Sequence, residues 1–161
     1  MQRILLALFV TALTAGFAEA AVTANSTVSP QLPKLGVVQF TSASSFGTYS
    51  TLYTAGADGS KCSAIVATTD DGSAAHVVTI QVVRSATKYG GTAVNVPISS
   101  GFANGVPPVN FMSTAVWPGL PLDSEGNPFL FLQSGDTLQA TFATPITSAK
   151  LLNIIAVCAD F

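Results

Sequence analysis

A single imidazole, His76, limits the chemistry open to this chain. Nucleophilic acyl transfer needs a Ser or Cys beside a general base, and no Gly-x-Ser-x-Gly elbow presents one. His76 follows Ala74-Ala75 at the start of a strand-like run and reads as a surface or turn residue. One histidine also excludes His-rich zinc, iron and copper sites within one subunit. The closest carboxylates are Asp70 beside Asp71, and Asp123 two residues from Glu125. Asp70-Asp71-Gly72-Ser73 is a turn sequence, in which Asp caps backbone amides and Gly accepts positive φ. Adjacent Asp side chains diverge, whereas glycoside hydrolysis needs two carboxyls facing each other across a cleft. Asp123-Ser124-Glu125-Gly126-Asn127 offers oxygen ligands at alternate positions, but Gly stands fourth and Ser134 twelfth. An EF-hand loop requires Gly at its sixth position and Glu at its twelfth, so the segment reads as a tight turn. Gly90-Gly91 follows no strand-to-helix pattern and makes no phosphate cradle. The expectation is a protein without catalytic residues, metal or cofactor.

Cys62 and Cys158 match no metal or redox spacing. Each lies in a strand-like run, where free Cys behaves as a small core residue. They read as two buried thiols, and as a disulfide only if the protein is exported and their strands are neighbours.

Of 161 residues, 48% are hydrophobic and 9% charged, with a net charge of −2. That charge supplies no footprint for nucleic acid. Average soluble domains carry about 25% charged residues, so this surface is built from Ser, Thr, Asn, Gln and Gly, and a molecule of this kind is expected to live assembled. Met1-Gln2-Arg3 precedes an uncharged apolar stretch, residues 4–18, and Ala18-Glu19-Ala20 has the small-x-small form of a signal-peptidase site. The stretch is shorter than the roughly 20 residues of a spanning helix. It reads either as a cleaved secretory signal or as an uncleaved arm that docks on a neighbouring subunit.

Residues 1–33 therefore form an apolar N-terminal segment plus an extended linker, and residues 34–161 form the domain. Strands are expected at 36–40, 50–54, 61–68, 76–84, 92–98, 129–133, 137–144 and 150–159. The 76–84 run alternates most clearly, with Val78, Ile80 and Val82 on one wholly apolar face, the pattern of a half-buried antiparallel strand. Tyr89-Gly90-Gly91 reads as the turn after it. The last run is apolar on both faces and is expected to be buried on both, by the core on one side and by another layer or subunit on the other. Residues 99–128, rich in Gly, Pro and Asn, read as an assembly surface with one helical turn at 109–115. About eight short strands and no long helix predict an all-β antiparallel sandwich with jelly-roll connectivity. Phe111, Trp117, Phe129 and Phe131 are expected to plug its open end, with a subunit contact or a carbohydrate platform as the alternatives.

Three segments carry a resemblance: Thr51-Leu52-Tyr53-Thr54-Ala55-Gly56-Ala57-Asp58-Gly59-Ser60-Lys61, Gly105-Val106-Pro107-Pro108-Val109-Asn110, and Leu120 to Pro128 followed by Ser134-Gly135-Asp136-Thr137-Leu138. With the Ala-Asp-Phe ending, the chain from about Lys34 onward resembles small structural proteins of tailed bacteriophages and prophages. The resemblance implies a β-sandwich virion component that binds the major capsid protein, a capsid decoration or cement protein or a head-fibre base, commonly trimeric. Such a protein assembles in the host cytoplasm and has no membrane partner in the assembled state, which favours the arm over the signal. The assembly residues are then Ile4, Leu5, Leu6, Leu8, Phe9 and Val10 in the arm, with Phe111, Trp117 and Leu120 as a contact surface. The competing expectation is a secreted or periplasmic carbohydrate-binding or adhesin-like module that uses Trp117 and Phe111, is cleaved after Ala20 and carries a Cys62–Cys158 disulfide.

Overall fold

A computed structural model describes residues 32–161; the six arm residues, Ile4 to Val10, lie outside the described residues. Nine strands follow in chain order: β1 Leu32–Thr41, β2 Ser50–Thr54, β3 Ser60–Thr69, β4 His76–Arg84, β5 Thr87–Val96, β6 Val109–Asn110, β7 Leu130–Leu132, β8 Thr137–Phe142 and β9 Leu151–Asp160. No α-helix occurs among the described residues.

Every pairing is antiparallel, in two sheets. The first runs β1-β9-β3, with β6 and β7 both on the far edge of β3; the second runs β2-β8-β4-β5. Because β6 and β7 share one edge position, the sandwich has eight strand positions, four per sheet. The chain crosses between sheets so that the first and last strands are neighbours, which is jelly-roll connectivity.

Period-two burial places the core between the sheets. In β4, Val78, Ile80 and Val82 point inward, matched by Leu138, Ala140 and Phe142 of β8. From the other sheet come Ile65 and Ala67 of β3 and Leu152, Ile154 and Ala156 of β9. Phe40 of β1 meets Phe142 with ring centroids 4.8 Å apart. Gly36 lets β1 approach β2, since a Cβ there would run into the Leu52 carbonyl.

Two elements differ from expectation. Tyr89-Gly90-Gly91 lies inside β5, and the β4–β5 turn is made by Ser85 and Ala86, both at positive φ (47° and 65°) between paired Arg84 and Thr87. Val109 and Asn110 pair with Ala67 and Val66 as a strand rather than opening a helix. The pairing continues as the Phe111 amide donates to the Ile65 carbonyl at 2.9 Å, and the helical turn comes later, where the Trp117 amide donates to the Ser113 carbonyl at 2.7 Å. β9 is buried on its core face, and Val157 is 41% exposed on the other, the side for which a further layer or a second subunit is expected.

Candidate functional site

Residues 111–120 lead from the β6 edge of one sheet toward the β5 edge of the other, where the Thr92 hydroxyl donates to the Val116 carbonyl at 2.6 Å. This strap closes one open side of the sandwich, and its apolar side chains point inward. Phe111 is 0% exposed, Leu120 is buried and Trp117 packs half-buried against the core. The expectation of a contact surface at Phe111, Trp117 and Leu120 is therefore corrected for Phe111 and Leu120. Burial between the sheets removes more apolar area from water than the strap's outer side could. The same burial removes Phe111 as a glycan platform. Phe111→Ala should destabilise the fold by about 3–5 kcal/mol, measured by denaturant unfolding, whereas a surface aromatic would cost far less.

His76 is corrected as well. It is fully buried, with Nδ1 3.2 Å from the Thr144 carbonyl and Nε2 3.3 Å from the Asp71 carboxylate. Asp71 is itself fully buried. Its Oδ1 accepts the amides of Ser73 and Ala74 at 2.8 and 3.1 Å, and its Oδ2 accepts the Thr147 amide at 2.9 Å. Asp70 caps the Leu151 amide at 2.7 Å. Both acids of the turn thus bind backbone amides, the capping role the turn sequence implies.

A second buried carboxylate, Asp160, receives hydrogen bonds from the Tyr53 and Ser60 hydroxyls and an ion pair from Lys34. Nothing in the sequence flagged this cluster, because its members come from four different strands. Arg84 holds Asp136 through two bonds of 2.7 Å, and the Arg84 guanidinium keeps that carboxyl below its ordinary range. Each of these groups spends its hydrogen bonds on pinning one segment of the sandwich to another.

Cys62 and Cys158 sit opposite each other in the β3–β9 register, point into the core and form a disulfide. The bond joins the third strand to the last.

The two outer faces of the sandwich differ in character. On the β2-β8-β4-β5 sheet, the outer side chains include Thr79, Gln81, Gln139 and Thr141, with the Gln81 amide donating to Gln139 at 2.9 Å. On the β1-β9-β3 sheet, Leu35 lies opposite Val157, and Val37 opposite Ile155, which lies opposite Val66. Leu35 and Val37 are 63% and 54% exposed. The next row is polar, with the Gln39 amide donating to Asn153 at 2.9 Å. This is an exposed apolar face with a polar border, built from the outward half of a strand whose sequence is apolar on both sides.

Among the described residues, no group of three His, Cys, Asp or Glu side chains is placed to hold a metal ion. No protein-family model matches the chain, and no curated protein matches it. The class defined by fold and surface is a disulfide-bonded jelly-roll β-sandwich with one apolar outer face.

Proposed function

We propose that the protein is a non-enzymatic structural component of a bacteriophage virion, a decoration or cement protein or head-fibre base that binds the major capsid protein. The observation that carries this reading is the apolar outer face of β1, β9 and β3. Contiguous apolar patches on a folded surface mark sites that another molecule covers. A jelly roll is a fold of viral capsid and lectin domains alike, so the fold is compatible with the reading and does not select it. The resemblance of the segments around Thr51, Gly105 and Leu120 to small phage structural proteins supplies the virion context.

The occupant of the apolar face is a second copy of the chain. Leu35, Val37 and Val157 are uncharged and flat on a sheet, and the Gln39–Asn153 row forms the polar rim such interfaces carry. A trimer closes this contact by cyclic symmetry. Light scattering coupled to size exclusion should give an oligomer for the wild type and, for Val37→Lys with Val157→Lys, a monomer that keeps the wild-type circular dichroism and melts lower because subunit association no longer stabilises it. The double variant should also cease to sediment with capsids. A wild-type monomer with no affinity for capsids would overturn the proposal.

The disulfide favours a second reading, an exported adhesin-like module, because such bonds persist mainly in oxidising compartments. Mass spectrometry of the native protein separates the two. An N-terminus near Ala21 supports export, and an intact Met1 or Gln2 supports the virion arm.

A further inference from the structure

The outer surface of the β1-β9-β3 sheet carries a cleft of about 300 Å³ at the edge away from β1, where β3 meets β6 and β7. Its polar lining is Lys61, Ser63, Asn110, Asp123 and Asn127, and Phe129 forms an apolar wall. We propose that this cleft binds a neutral, polyhydroxylated ligand, a saccharide ring, at a site distinct from the apolar face.

The first argument is charge. Lys61 and Asp123 place one positive and one negative group in the same small space, so the cleft has no net attraction for a simple ion. A ligand that can both donate and accept, as a set of ring hydroxyls does, satisfies both groups at once.

The second argument is available bonding capacity. Asp123 Oδ1 is committed to the amides of Glu125 and Asn127 at 3.0 and 2.7 Å, which fixes the 123–127 loop over the cleft. Its Oδ2 has only a long contact of 3.4 Å from the Asn127 side-chain amide. The Asn127 backbone amide holds this carboxyl below its ordinary range, so it stays an acceptor at neutral pH. The Ser63 hydroxyl reaches the Val157 carbonyl only at 3.4 Å, and the Asn110 side-chain amide reaches Met112 only at 3.5 Å. Asn110 Oδ1 is held by the Met112 amide at 2.8 Å, so the free capacity lies on Asp123 Oδ2, the Ser63 hydroxyl and Asn110 Nδ2, convergent polar groups of the kind that orient a ligand in a small site.

The third argument is the wall. Phe129 is braced edge-on by Phe131 at 4.7 Å between centroids, and Lys61 Nζ lies 4.6 Å from its centre. A rigid aromatic beside convergent polar groups suits a ligand with apolar C–H faces and a hydroxyl rim. Of the aromatics Phe111, Trp117, Phe129 and Phe131, Phe129 is the one that lines the cleft.

The test is a titration of the full chain, followed by amide NMR, with glucose, galactose, mannose and N-acetylglucosamine, and with inorganic phosphate as the charge control. At least one neutral sugar should give saturable shifts centred on Lys61, Ser63, Asn110 and Asn127. Ser63→Tyr fills the cleft and leaves the Asp123 loop cap intact. It should weaken binding at least about tenfold, and Lys61→Met by a similar factor, the value of one good polar contact. Unchanged melting temperatures establish that both variants fold. The proposal is overturned if no neutral sugar produces saturable shifts at tens of millimolar, if phosphate alone does, or if binding survives Ser63→Tyr in a folded protein. The oligomeric state plays no part in this readout, so its outcome is separate from that of the virion proposal.

Discussion

Replacing Cys62 and Cys158 together by alanine is expected to lower the unfolding free energy by about 2–5 kcal/mol, a large share of the stability of any domain this size. The sequence separation is 96 residues, so the bond closes a loop spanning most of the described chain. In the chain-entropy account, a loop of about 100 residues removes roughly 4.7 kcal/mol of freedom from the unfolded ensemble. Both cysteines face the core, 0% and 2% exposed, on directly opposed residues of neighbouring strands. Burial has a kinetic consequence too, because thiol–disulfide exchange needs a thiolate to reach sulfur. Dithiothreitol should therefore leave the folded protein oxidised for long periods and reduce it rapidly near the unfolding midpoint. Denaturant titrations of oxidised, reduced and double-alanine protein measure the first effect, and thiol labelling against time measures the second. Equal midpoints for oxidised and reduced protein would mean that the cross-link contributes nothing.

The strand pattern was readable wherever a strand has one dry and one wet face. The inward residues Val78, Ile80 and Val82 of β4 and Leu138, Ala140 and Phe142 of β8 are apolar and buried as that pattern requires, while of the outward positions only Gln81 and Thr141 are buried too. β9 was harder to read, because a strand apolar on both sides means burial on both in a closed monomer and an exposed apolar face in a protein that assembles. Local composition also misplaced the β4–β5 turn. Positive φ at both central residues is the requirement of a tight hairpin turn, usually met by Asn and Gly. Here Ser85 and Ala86 meet it, and the nearby Gly90-Gly91 drew attention away.

The strap at 111–120 has no period, so its aromatic content alone pointed to Phe111 and Trp117 as plugs of the open end, and the choice between plug and subunit contact rests on the space between the sheets. The same limit applies to the polar clusters. Asp160 meets Tyr53, Ser60 and Lys34 only after four strands have paired. The cleft at Lys61 likewise depends on the 123–127 turn folding back over β3. Turn chemistry identified that loop, while its position over a lysine more than sixty residues earlier is a property of the topology.

Asp71→Ala should be the most damaging single substitution of a polar residue, with an expected loss of about 3–5 kcal/mol. The turn sequence shows why an Asp belongs there, since it caps Ser73 and Ala74. The structure adds two long-range duties: Oδ2 accepts the Thr147 amide from the β8–β9 connection and faces His76 Nε2 in β4. Alanine would leave three backbone donors without this acceptor and remove the carboxylate 3.3 Å from His76 Nε2, in a site where Asp71 and His76 are wholly excluded from water. Each such stranded group costs about 1–3 kcal/mol, reduced where the site relaxes or admits water. Asp71→Asn keeps an acceptor oxygen but has only one to offer, so it should fall between alanine and wild type.

The charge itself gives the pH dependence. Burial pushes the Asp71 carboxyl up, but the hydrogen bonds from Thr147, Ser73 and Ala74 together outweigh it and hold the group well below the ordinary carboxylate range. Asp160 is depressed likewise, by Lys34 first and then by Ser60 and Tyr53. A carboxyl whose folded pKa lies below its unfolded value, about 3.9 for Asp, stabilises the fold fully above that value. The contribution is lost as pH falls toward the folded pKa, because the unfolded chain then binds the proton more readily. Stability should therefore be nearly flat from neutral pH down to about 5 and then decline steeply below about 4. In Asp71→Asn the decline should be shallower, since one of the two strongly depressed carboxyls is gone. Urea midpoints measured between pH 7 and pH 2 for wild type and variant decide the point, and parallel curves would mean that Asp71 titrates in the folded protein as it does in the unfolded chain.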